Sequence, residues 1–249
     1  MAKKRVSVTL EENLVDKIDS EAERRKLNRS RMLEKIVDQH FSQEGLDTAV
    51  VLCGDSEAKT LEIQNGKPVL SHILDHLSEE GFSRVFLLAG QNKEIEENYG
   101  SEYRDLALEY VYEDEPSGNA EALDKLENKL SREFAVMNGH VITDVDVDDM
   151  FRVHREEGRT ATMALTAVEN PSDYGVARLK GREILGFVEK PETGEESSRL
   201  INAGTYIFSQ EIFEELDESF LEYVFEKLAD RSDLTGYIYG GDWKDVGES

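Results

Sequence analysis

The sequence predicts two folded parts: a strand with two short helices, then a larger α/β domain with a mostly parallel sheet covered by helices on both faces. Residues 5–10 alternate between apolar and polar side chains, and two short amphipathic stretches follow them directly. From residue 48 onward, strand-like apolar runs alternate with helical patterns, as is typical of a parallel sheet. We therefore expect a first module at residues 1–41, a linker at 42–47 and a second domain at 48–249.

The first module begins with a strand that has one apolar and one polar face. Val6, Val8 and Leu10 share the apolar face, because side chains alternate along a strand. Each of the two helices that follow presents one apolar stripe, and Asn28 can cap the second helix through its side-chain oxygen. One strand and two short helices cannot bury these surfaces alone, so the pattern predicts a homodimer.

This pattern resembles the ribbon-helix-helix family of dimeric repressors, which includes Arc, MetJ and CopG. The resemblance implies that strands of two chains pair into an antiparallel ribbon that enters the major groove of double-stranded DNA. The residues that it places at the DNA are Lys4, Arg5, Ser7 and Thr9 on the strand, facing the bases and backbone, and Asn28, Arg29 and Ser30 at a phosphate where the second helix begins. The alternative is a helical clip that serves only for dimerisation.

Charge is divided unevenly between the two parts. Residues 1–41 contain ten Lys or Arg and eight Asp or Glu, whereas the rest contains nineteen against forty-six, so the net charges are +2 and −27. The acidic part repels DNA, and only the first module has a charge compatible with binding it. Such an excess of carboxylates is typical of proteins that work in concentrated salt, where charges are screened within about 3 Å at 1 M. We therefore expect a halophilic, haloarchaeal source.

Cysteine content and hydropathy bear on the compartment in which the protein works. Cys53 is the single cysteine, so no intrachain disulfide forms and a reducing environment is expected. No apolar run approaches the roughly 20 residues of a membrane span, and no signal-peptide pattern precedes the basic start. The expectation is a cytoplasmic protein with no membrane partner.

The larger domain is predicted from alternating strand and helix patterns. Its first half is expected to place strands at residues 48–53, 84–89, 106–112 and 133–138 and helices at 68–80, 93–99, 118–130 and 148–157. Its second half is expected to add strands at 160–168, 175–179, 185–189, 203–208 and 236–239, with two helical stretches before the last strand. Ligands in such folds bind beyond the carboxyl ends of the strands, so we expect the site in the loops there.

Six short motifs in this domain resemble the sugar-phosphate nucleotidyltransferase family, in the family's order. They are Gly66-Lys67-Pro68, Asn138-Gly139, Tyr174-Gly175-Val176, Phe187-Val188-Glu189-Lys190-Pro191, Asn202-Ala203-Gly204 and Trp243-Lys244-Asp245-Val246-Gly247. Each motif alone is weak, but six in sequence are specific for the fold. The resemblance implies a Rossmann-like domain in which a sugar 1-phosphate oxygen attacks the α-phosphate of a nucleoside triphosphate and pyrophosphate leaves, with magnesium neutralising the developing charge.

The loops that would hold the triphosphate depart from the family pattern. A glycine-rich loop ending in Gly-Thr-Arg is replaced by Gly54-Asp55-Ser56-Glu57-Ala58-Lys59. Gly54 and Lys59 remain nucleotide-binding candidates, and Lys59 is a catalytic candidate if the domain is active, but two carboxylates stand where phosphates would lie. The Pro-Lys-Pro element that should follow is missing. A later nucleotide loop reads Gly118-Asn119-Ala120-Glu121 in place of Gly-Thr-Ala-Gly, which leaves Gly118 as its candidate.

The magnesium site of the family consists of two aspartates, and one of them has a counterpart here. Asp245 matches the second aspartate and is the other catalytic candidate, whereas His140 stands at the position of the first. Magnesium prefers hard oxygen ligands, so an imidazole is a poor replacement. Asp144 and Asp146 follow closely in sequence, which leaves open a rescue of the site by a neighbouring carboxylate.

The residues of the sugar-phosphate side match the family better. The resemblance implies that Gly175, Glu189, Lys190 and Asn202 face the sugar or its phosphate. The alternative is that residues 187–191 form an ordinary strand end with Lys190 in solvent. A domain that keeps this pocket and loses nucleotide activation would act as a ligand sensor.

Three functions therefore remain open. The sequence favours a dimeric transcription regulator whose larger domain senses a sugar phosphate or another metabolite, or binds a partner protein. The second function is a magnesium-dependent nucleotidyltransferase that makes a nucleotide sugar and uses the first module for DNA tethering or dimerisation. The third is a non-enzymatic assembly protein.

Overall fold

Two separate units make up the chain, Met1–Gly45 and Leu46–Ser249. The computed structural model describes residues 8–24, 28–33, 45–54, 59–115, 117–130 and 132–247. Among these described residues, no helix is both long and apolar enough to cross a membrane.

The smaller unit contains two helices, and the second of them begins at a side-chain cap. Helix α1 spans Glu12–Arg24, and the backbone is helical again at residues 29–33, labelled α2. The side-chain oxygen of Asn28 accepts a bond from the Arg31 N–H at 2.9 Å, which confirms the predicted cap. Residues 5–7 of the predicted strand lie outside the described residues, and residues 8–10 are not in a strand.

Apolar side chains join the two helices of this unit. Ile18 and Ala22 of α1 pack against Met32 of α2, and all three are buried. Val8 is 72% exposed and Leu14 is 45% exposed, so part of the apolar surface of the described residues stays uncovered. The predicted homodimer would cover this surface, and it stays a prediction.

The larger unit alternates strands and helices through its first half. Its elements there are β1 (Thr48–Leu52), β2 (Ile63–Gln64), β3 (Lys67–Pro68), α3 (Val69–Glu79), β4 (Arg84–Gly90), α4 (Glu94–Tyr99), β5 (Glu102–Tyr103), β6 (Leu106–Tyr112), α5 (Asn119–Asp124), β7 (Phe134–Asn138), β8 (Val141–Thr143) and α6 (Val147–Glu157). The helix predicted at 118–130 ends at Asp124, because Leu126 and Glu127 donate to carbonyls three residues back and the chain continues as turns.

The second half of this unit consists mainly of strands. Its elements are β9 (Ala161–Ala167), a 3-10 helix (Pro171–Asp173), β10 (Gly175–Lys180), β11 (Glu183–Glu189), β12 (Leu200–Phe208), a second 3-10 helix (Gln210–Glu214), α7 (Leu221–Asp230), β13 (Leu234–Ile238) and β14 (Trp243–Asp245). Strand β14 pairs with β8 in a small separate sheet.

One mixed sheet organises the described part of this unit. Its strand order is β10-β11-β13-β9-β12-β7-β1-β4-β6-β5. Strands β7, β1, β4 and β6 are parallel neighbours, as are β13 and β9. Strand β12 runs antiparallel between β7 and β9, which makes the sheet mixed.

Helices cover both faces of the sheet, as predicted for an α/β fold. Val50 and Leu52 of β1 share a core with α5 and α7, whereas Ala49 and Val51 share a second core with α3, α4 and α6. Every residue of β1 is buried, because its alternating side chains are covered on both sides. The predicted α/β fold with helices on both faces is confirmed, whereas the sheet is mixed and not mostly parallel, because the strands of the second half pair mainly antiparallel. The carboxyl ends of β1, β4 and β7 lie together at one edge.

Candidate ligand-binding site

The carboxyl ends of β1, β4 and β7 approach each other closely. The Gly139 N–H donates to the Leu52 carbonyl at 2.9 Å, and a Cβ on Gly139 would lie 2.6 Å from that oxygen. A Cβ on Gly54 would lie 2.8 Å from the nitrogen of Gly90. Gly54 and Gly139 are therefore required for backbone packing, whatever they also contact in a ligand.

Lys59 is the described cation of the predicted phosphate loop, whose residues 55–58 lie outside the described part of the chain. Its Nζ lies 3.8 Å from a carboxylate oxygen of Glu62, and its side chain is 35% exposed. The next residue, Thr60, already accepts a bond from the first turn of α3, through the Leu70 N–H at 2.9 Å. The chain thus turns directly into the β2–β3 hairpin, and a carboxylate lowers the positive potential at Lys59.

The nucleotide loop that begins at Gly118 is closed by the segment before α7. Gly118 has φ +95°, and a Cβ there would lie 2.2 Å from the Ser219 carbonyl oxygen. The Ala120 N–H donates to that same oxygen at 3.1 Å, and the Asn119 side chain accepts from the Leu221 N–H at 2.7 Å. Gly118 is needed for this contact, and the Asn119 amide serves the fold.

Among the residues expected to face a sugar phosphate, Glu189 lies directly over Gly175. These residues are register partners on β11 and β10, and a Cβ on Gly175 would lie 2.7 Å from Glu189 Oε2 and 2.3 Å from the Phe187 ring. Lys190 follows with φ +43°, and its N–H donates to the Tyr174 carbonyl at 3.1 Å. The turn after β11 is thereby fixed to the start of β10.

Asn202 enters the same site from β12. The antiparallel pair Val176–Ile201 places Gly175 beside Asn202. The Asn202 Nδ2 donates to the Tyr206 hydroxyl at 2.8 Å, and its Oδ1 accepts from the Gly204 N–H at 3.0 Å. Both ends of the amide are therefore fixed. Burial, with the nearby Glu222 carboxylate, raises the pKa of Tyr206, so its hydroxyl stays neutral.

A bulge in β12 shapes this part of the site. The register against β9 shifts between Asn202 and Tyr206, and Gly204 within it has φ +72°. A Cβ on Gly204 would lie 3.0 Å from the side-chain nitrogen of Asn138, so the bulge brings β12 against the end of β7. The Trp243 indole donates to the Ala203 carbonyl at 3.1 Å and holds the bulge from β14.

A groove lies beside these residues, at the start of β10 and the end of β11. Its volume is about 320 Å³, and its lining consists of Val176, Val188, Glu189, Lys190, Pro191, Glu192, Glu195 and Ser197. Two valines supply an apolar wall, and carboxylates with one ammonium supply polar groups. With three carboxylates against one ammonium, the lining suits hydroxyl groups better than a phosphate.

The predicted metal ligands, His140 and Asp245, lie at one end of the β8–β14 pair. The Val246 N–H donates to the His140 carbonyl at 3.0 Å. A Cβ on Gly247 would lie 3.0 Å from Asp245 Oδ1 and 3.4 Å from the imidazole Cδ2, so both side chains flank one point. Asp245 Oδ1 also accepts from the Gly247 N–H at 2.6 Å. One carboxylate beside an imidazole does not fit magnesium.

The neighbouring aspartates do not complete the metal site. The β8–β14 register pairs Val141 with Asp245 and Thr143 with Trp243, so Asp144 lies at the opposite end of the ladder from Asp245. Asp146 caps α6 by accepting from the Asp149 N–H at 2.7 Å. Among the described residues, no group of three His, Cys, Asp or Glu side chains could hold a metal ion. The geometry of the described residues therefore gives no support to a rescue of the site by Asp144 or Asp146.

The predicted DNA-contacting residues are only partly described. Lys4, Arg5 and Ser7 lie outside the described residues, whereas Thr9, Asn28, Arg29 and Ser30 are all exposed. The Arg29 Nε donates to Asp19 at 2.6 Å, and a second nitrogen bonds the other carboxylate oxygen, so the guanidinium is engaged within the unit. The Asp19 carboxylate next to Arg29 has a pKa below its usual range, because the side-chain hydrogen bond favours its charged form.

Three residues contribute to the site although the sequence pattern gave no role to their side chains. Tyr206 and Asn138 fix the bulge region, and Ser219 closes the nucleotide loop. Asn138 was visible as part of a motif, but its side chain was given no role. Ser219 carries no local signal, because its contact with Gly118 joins residues about a hundred positions apart.

Comparison with protein families matches both units. Residues 32–249 match the family described as nucleotidyl transferase, and residues 4–44 match the ribbon-helix-helix protein, copG family. The matches overlap at residues 32–44, where Met32 packs in the smaller unit. The N-terminal segment is therefore a ribbon-helix-helix module.

Curated relatives of the larger unit include mannose-1-phosphate guanyltransferase beta-A of Xenopus laevis, 32% identical over 170 residues, which are 65% of this chain and 45% of that protein. Mannose-1-phosphate guanylyltransferase catalytic subunit beta of Danio rerio is 34% identical over 151 residues, 57% of this chain and 41% of that protein. The chain thus spans less than half the length of these relatives.

Solved structures share the fold at low identity. A UDP-glucose pyrophosphorylase complexed with UDP-glucose has a TM-score of 0.71 at 21% identity, covering 82% of this chain and 94% of that one. A UDP-glucose pyrophosphorylase from Acinetobacter baumanii has a TM-score of 0.70 at 18% identity, covering 81% and 89%. These likenesses establish the architecture of the larger unit.

Proposed function

The chain belongs to the nucleotidyl transferase family, and on this premise we propose that it is a dimeric DNA-binding regulator whose larger domain binds a sugar phosphate without transferring a nucleotide. The observation that carries the proposal is the contrast across the site. Glu189 lies over Gly175 and Asn202 lies beside it, whereas Lys59 faces Glu62, and Asp245 has the His140 imidazole, not a second carboxylate, at the position of its expected partner.

The ligand side supports a sugar phosphate. Carboxylate and amide groups bind sugar hydroxyls by accepting and donating hydrogen bonds, and both kinds of group converge where Gly175, Glu189 and Asn202 meet. Lys190 follows immediately and supplies positive charge for a phosphate. The curated relatives are named for mannose 1-phosphate, which makes it the first ligand to test.

The DNA side is supported by sequence and charge. The ribbon-helix-helix module carries +2 whereas the rest of the chain carries −27, so DNA is attracted to one region. Arg5, Ser7 and Thr9 are proposed to contact base edges. The Asn28 side chain caps α2, and the backbone N–H groups at the start of this helix are proposed to bind a phosphate. A ligand that binds the larger domain would then alter DNA affinity by differential binding to two states.

A working nucleotidyltransferase is the second candidate. It is favoured by Asp245, by the intact sugar side and by relatives named as guanylyltransferases. In this function Lys59 and Asp245 would support the phosphates. The structure offers no fitting magnesium site among the described residues, so no step is assigned to a metal.

DNA binding by the full-length protein tests the regulator. Fragments selected from a random duplex library would be titrated in concentrated salt, by fluorescence anisotropy, with and without mannose 1-phosphate. Arg5→Ala should cost about 1–3 kcal/mol and relax sequence preference, because a bidentate contact to guanine is lost. Lys17→Ala, which removes an exposed cation from α1, is the matched control and should cost less. Absence of any selected sequence would contradict the proposal.

A further inference from the structure

We infer that His140 is the residue that removes divalent-cation binding from this domain, and that exchanging it for aspartate restores a cation site with Asp245. The cation affinity of the domain does not depend on the proposed ligand. The accompanying expectation, that sugar-phosphate binding is independent of magnesium, rests on the proposed function.

The geometry places residue 140 and Asp245 at one point. The β8–β14 register and the bond from the Val246 N–H to the His140 carbonyl, at 3.0 Å, fix the two backbones side by side. The imidazole Cδ2 and the Asp245 Oδ1 lie 3.4 Å and 3.0 Å from the position that a Gly247 Cβ would take. Two carboxylates in these places could share one small cation, because each Mg–O bond is about 2.1 Å long.

The imidazole prevents this arrangement through its chemistry. A hard cation such as magnesium prefers carboxylate, carbonyl and water oxygens, and a neutral ring adds no negative charge to offset the cation. The single carboxylate, Asp245, is also bonded to the Gly247 N–H at 2.6 Å. A cation would have to compete with that bond for one of its oxygens.

Other carboxylates near in sequence do not compensate. Asp144 is at the far end of the two-stranded ladder, and the Asp146 side chain is engaged at the start of α6. Gly241 packs against the Asp144 carboxylate, where a Cβ would lie 2.0 Å from its Oδ1. We therefore attribute the loss of the site to position 140.

Calorimetric titration of the full-length, metal-free protein with magnesium or manganese chloride tests the inference. The variants are His140→Asp, His140→Asn and the double variant His140→Asp with Asp245→Ala. His140→Asp should bind either cation at least about tenfold more tightly than wild type, since losing even an outer-shell partner costs about 10–100-fold in metal affinity. His140→Asn introduces a side chain that is similar in size to aspartate but uncharged, so its cation affinity should stay close to that of wild type. The double variant should lose the increase in cation affinity that His140→Asp gives.

Two results would overturn the inference. One is tight magnesium binding by wild type that Asp245→Ala abolishes. The other is a His140→Asp variant that melts cooperatively, and is therefore folded, yet binds cation no better than His140→Asn.

Ligand binding is measured separately, by titrating mannose 1-phosphate with magnesium or with EDTA. The affinities of wild type with magnesium and with EDTA should agree within about twofold, a difference of only about 0.4 kcal/mol. The reason is that no cation takes part in binding. A dependence on magnesium larger than tenfold would overturn metal independence. Failure of the sugar phosphate to bind in either condition would instead remove the proposed function and leave the cation result intact.

Discussion

The two sides of the cleft in the larger domain are built differently. On the proposed sugar-phosphate side, Glu189 lies on β11 and Asn202 lies on β12, two strands that both pair with β10, and the Asn202 amide is fixed by the Tyr206 hydroxyl. On the nucleotide side, Lys59 lies in a loop and faces Glu62, whereas Asp245 ends strand β14 and bonds the backbone of Gly247. The two sides therefore differ in the surroundings of their candidate groups: paired strands on one side, and polar neighbours that already engage Lys59 and Asp245 on the other.

The retained glycines support the same lesson. Gly54 and Gly139 belong to the nucleotide side, yet both are needed because strand ends approach within contact distance there. Their presence therefore shows that the fold is kept. It carries no information on whether a triphosphate still binds.

The largest expected effect concerns the half of the sheet that carries the sugar side. Buried His154 bonds Thr162 of β9 at 2.9 Å and Ser209, just after β12, at 3.0 Å. Burial lowers its pKa from 6.5 to about 4. Between pH 6.5 and 4 the unfolded chain therefore binds a proton at His154 that the folded chain does not bind. The free energy of unfolding should be highest above pH 6.5 and should fall by up to about 3 kcal/mol as the pH is lowered toward 4.

Denaturant unfolding of wild type and His154→Gln between pH 7 and pH 5 checks this expectation. The variant should be less stable at pH 7 but should lose less stability on acidification. Parallel slopes for the two proteins would show that His154 does not contribute.

The next effect compares the ligand groups directly. Asn202→Ala should weaken binding of mannose 1-phosphate by about 10–100-fold, since a hydrogen bond to a charged group contributes about 1.5–3 kcal/mol and the alanine leaves the Tyr206 hydroxyl unsatisfied. Calorimetry measures the affinity. Asn92→Ala, on an exposed turn after β4, is the control for loss of an amide. Equal affinities for wild type and Asn202→Ala would place the ligand elsewhere.

A smaller effect on stability tests the packing of the sugar side. Gly175→Ala should lower the free energy of unfolding by about 1–3 kcal/mol, because the new Cβ meets the Phe187 ring and Glu189. Gly186→Ala on the neighbouring strand is the matched control, since its Cβ would come no closer than 3.7 Å to another atom. The measurement is chemical denaturation. If the two variants had equal free energies of unfolding, the close contact at Gly175 would not affect stability.

The smallest effect belongs to the nucleotide side. Lys59→Ala should change mannose 1-phosphate affinity by less than about fivefold, because partly exposed ion pairs such as Lys59–Glu62 contribute about 0–1 kcal/mol and Lys59 lies outside the sugar side. The same calorimetric titration applies. A loss of affinity as large as that caused by Asn202→Ala would show that both sides contribute to binding and would contradict the proposed difference between them.

Sequence patterns located the elements but not their directions. The predicted strand at residues 106–112 matches β6, Leu106–Tyr112, because its apolar pattern and flanking turns are local properties. The antiparallel course of β12 follows from long connections, which periodicity does not encode. This course is what brings Asn202 next to Gly175 and makes the sheet mixed.

Side-chain partners were harder to predict than residue identities. The motif that contains Asp245 was visible in the sequence, but the separation of Asp144 from Asp245 depends on the register of β8 against β14. The Arg29–Asp19 pair likewise joins two helices and has no local signal. Such contacts depend on tertiary packing, so the sequence could nominate candidate site residues but could not show which of them come together.

Pyrophosphate release by the full-length protein tests the central claim most directly. The assay combines nucleoside triphosphates with sugar 1-phosphates, including mannose 1-phosphate, in concentrated salt with magnesium. The account predicts no release above that of Asp245→Ala, while mannose 1-phosphate still binds the same preparation. A magnesium-dependent rate that disappears in Asp245→Ala would contradict it and make the larger domain a working nucleotidyltransferase.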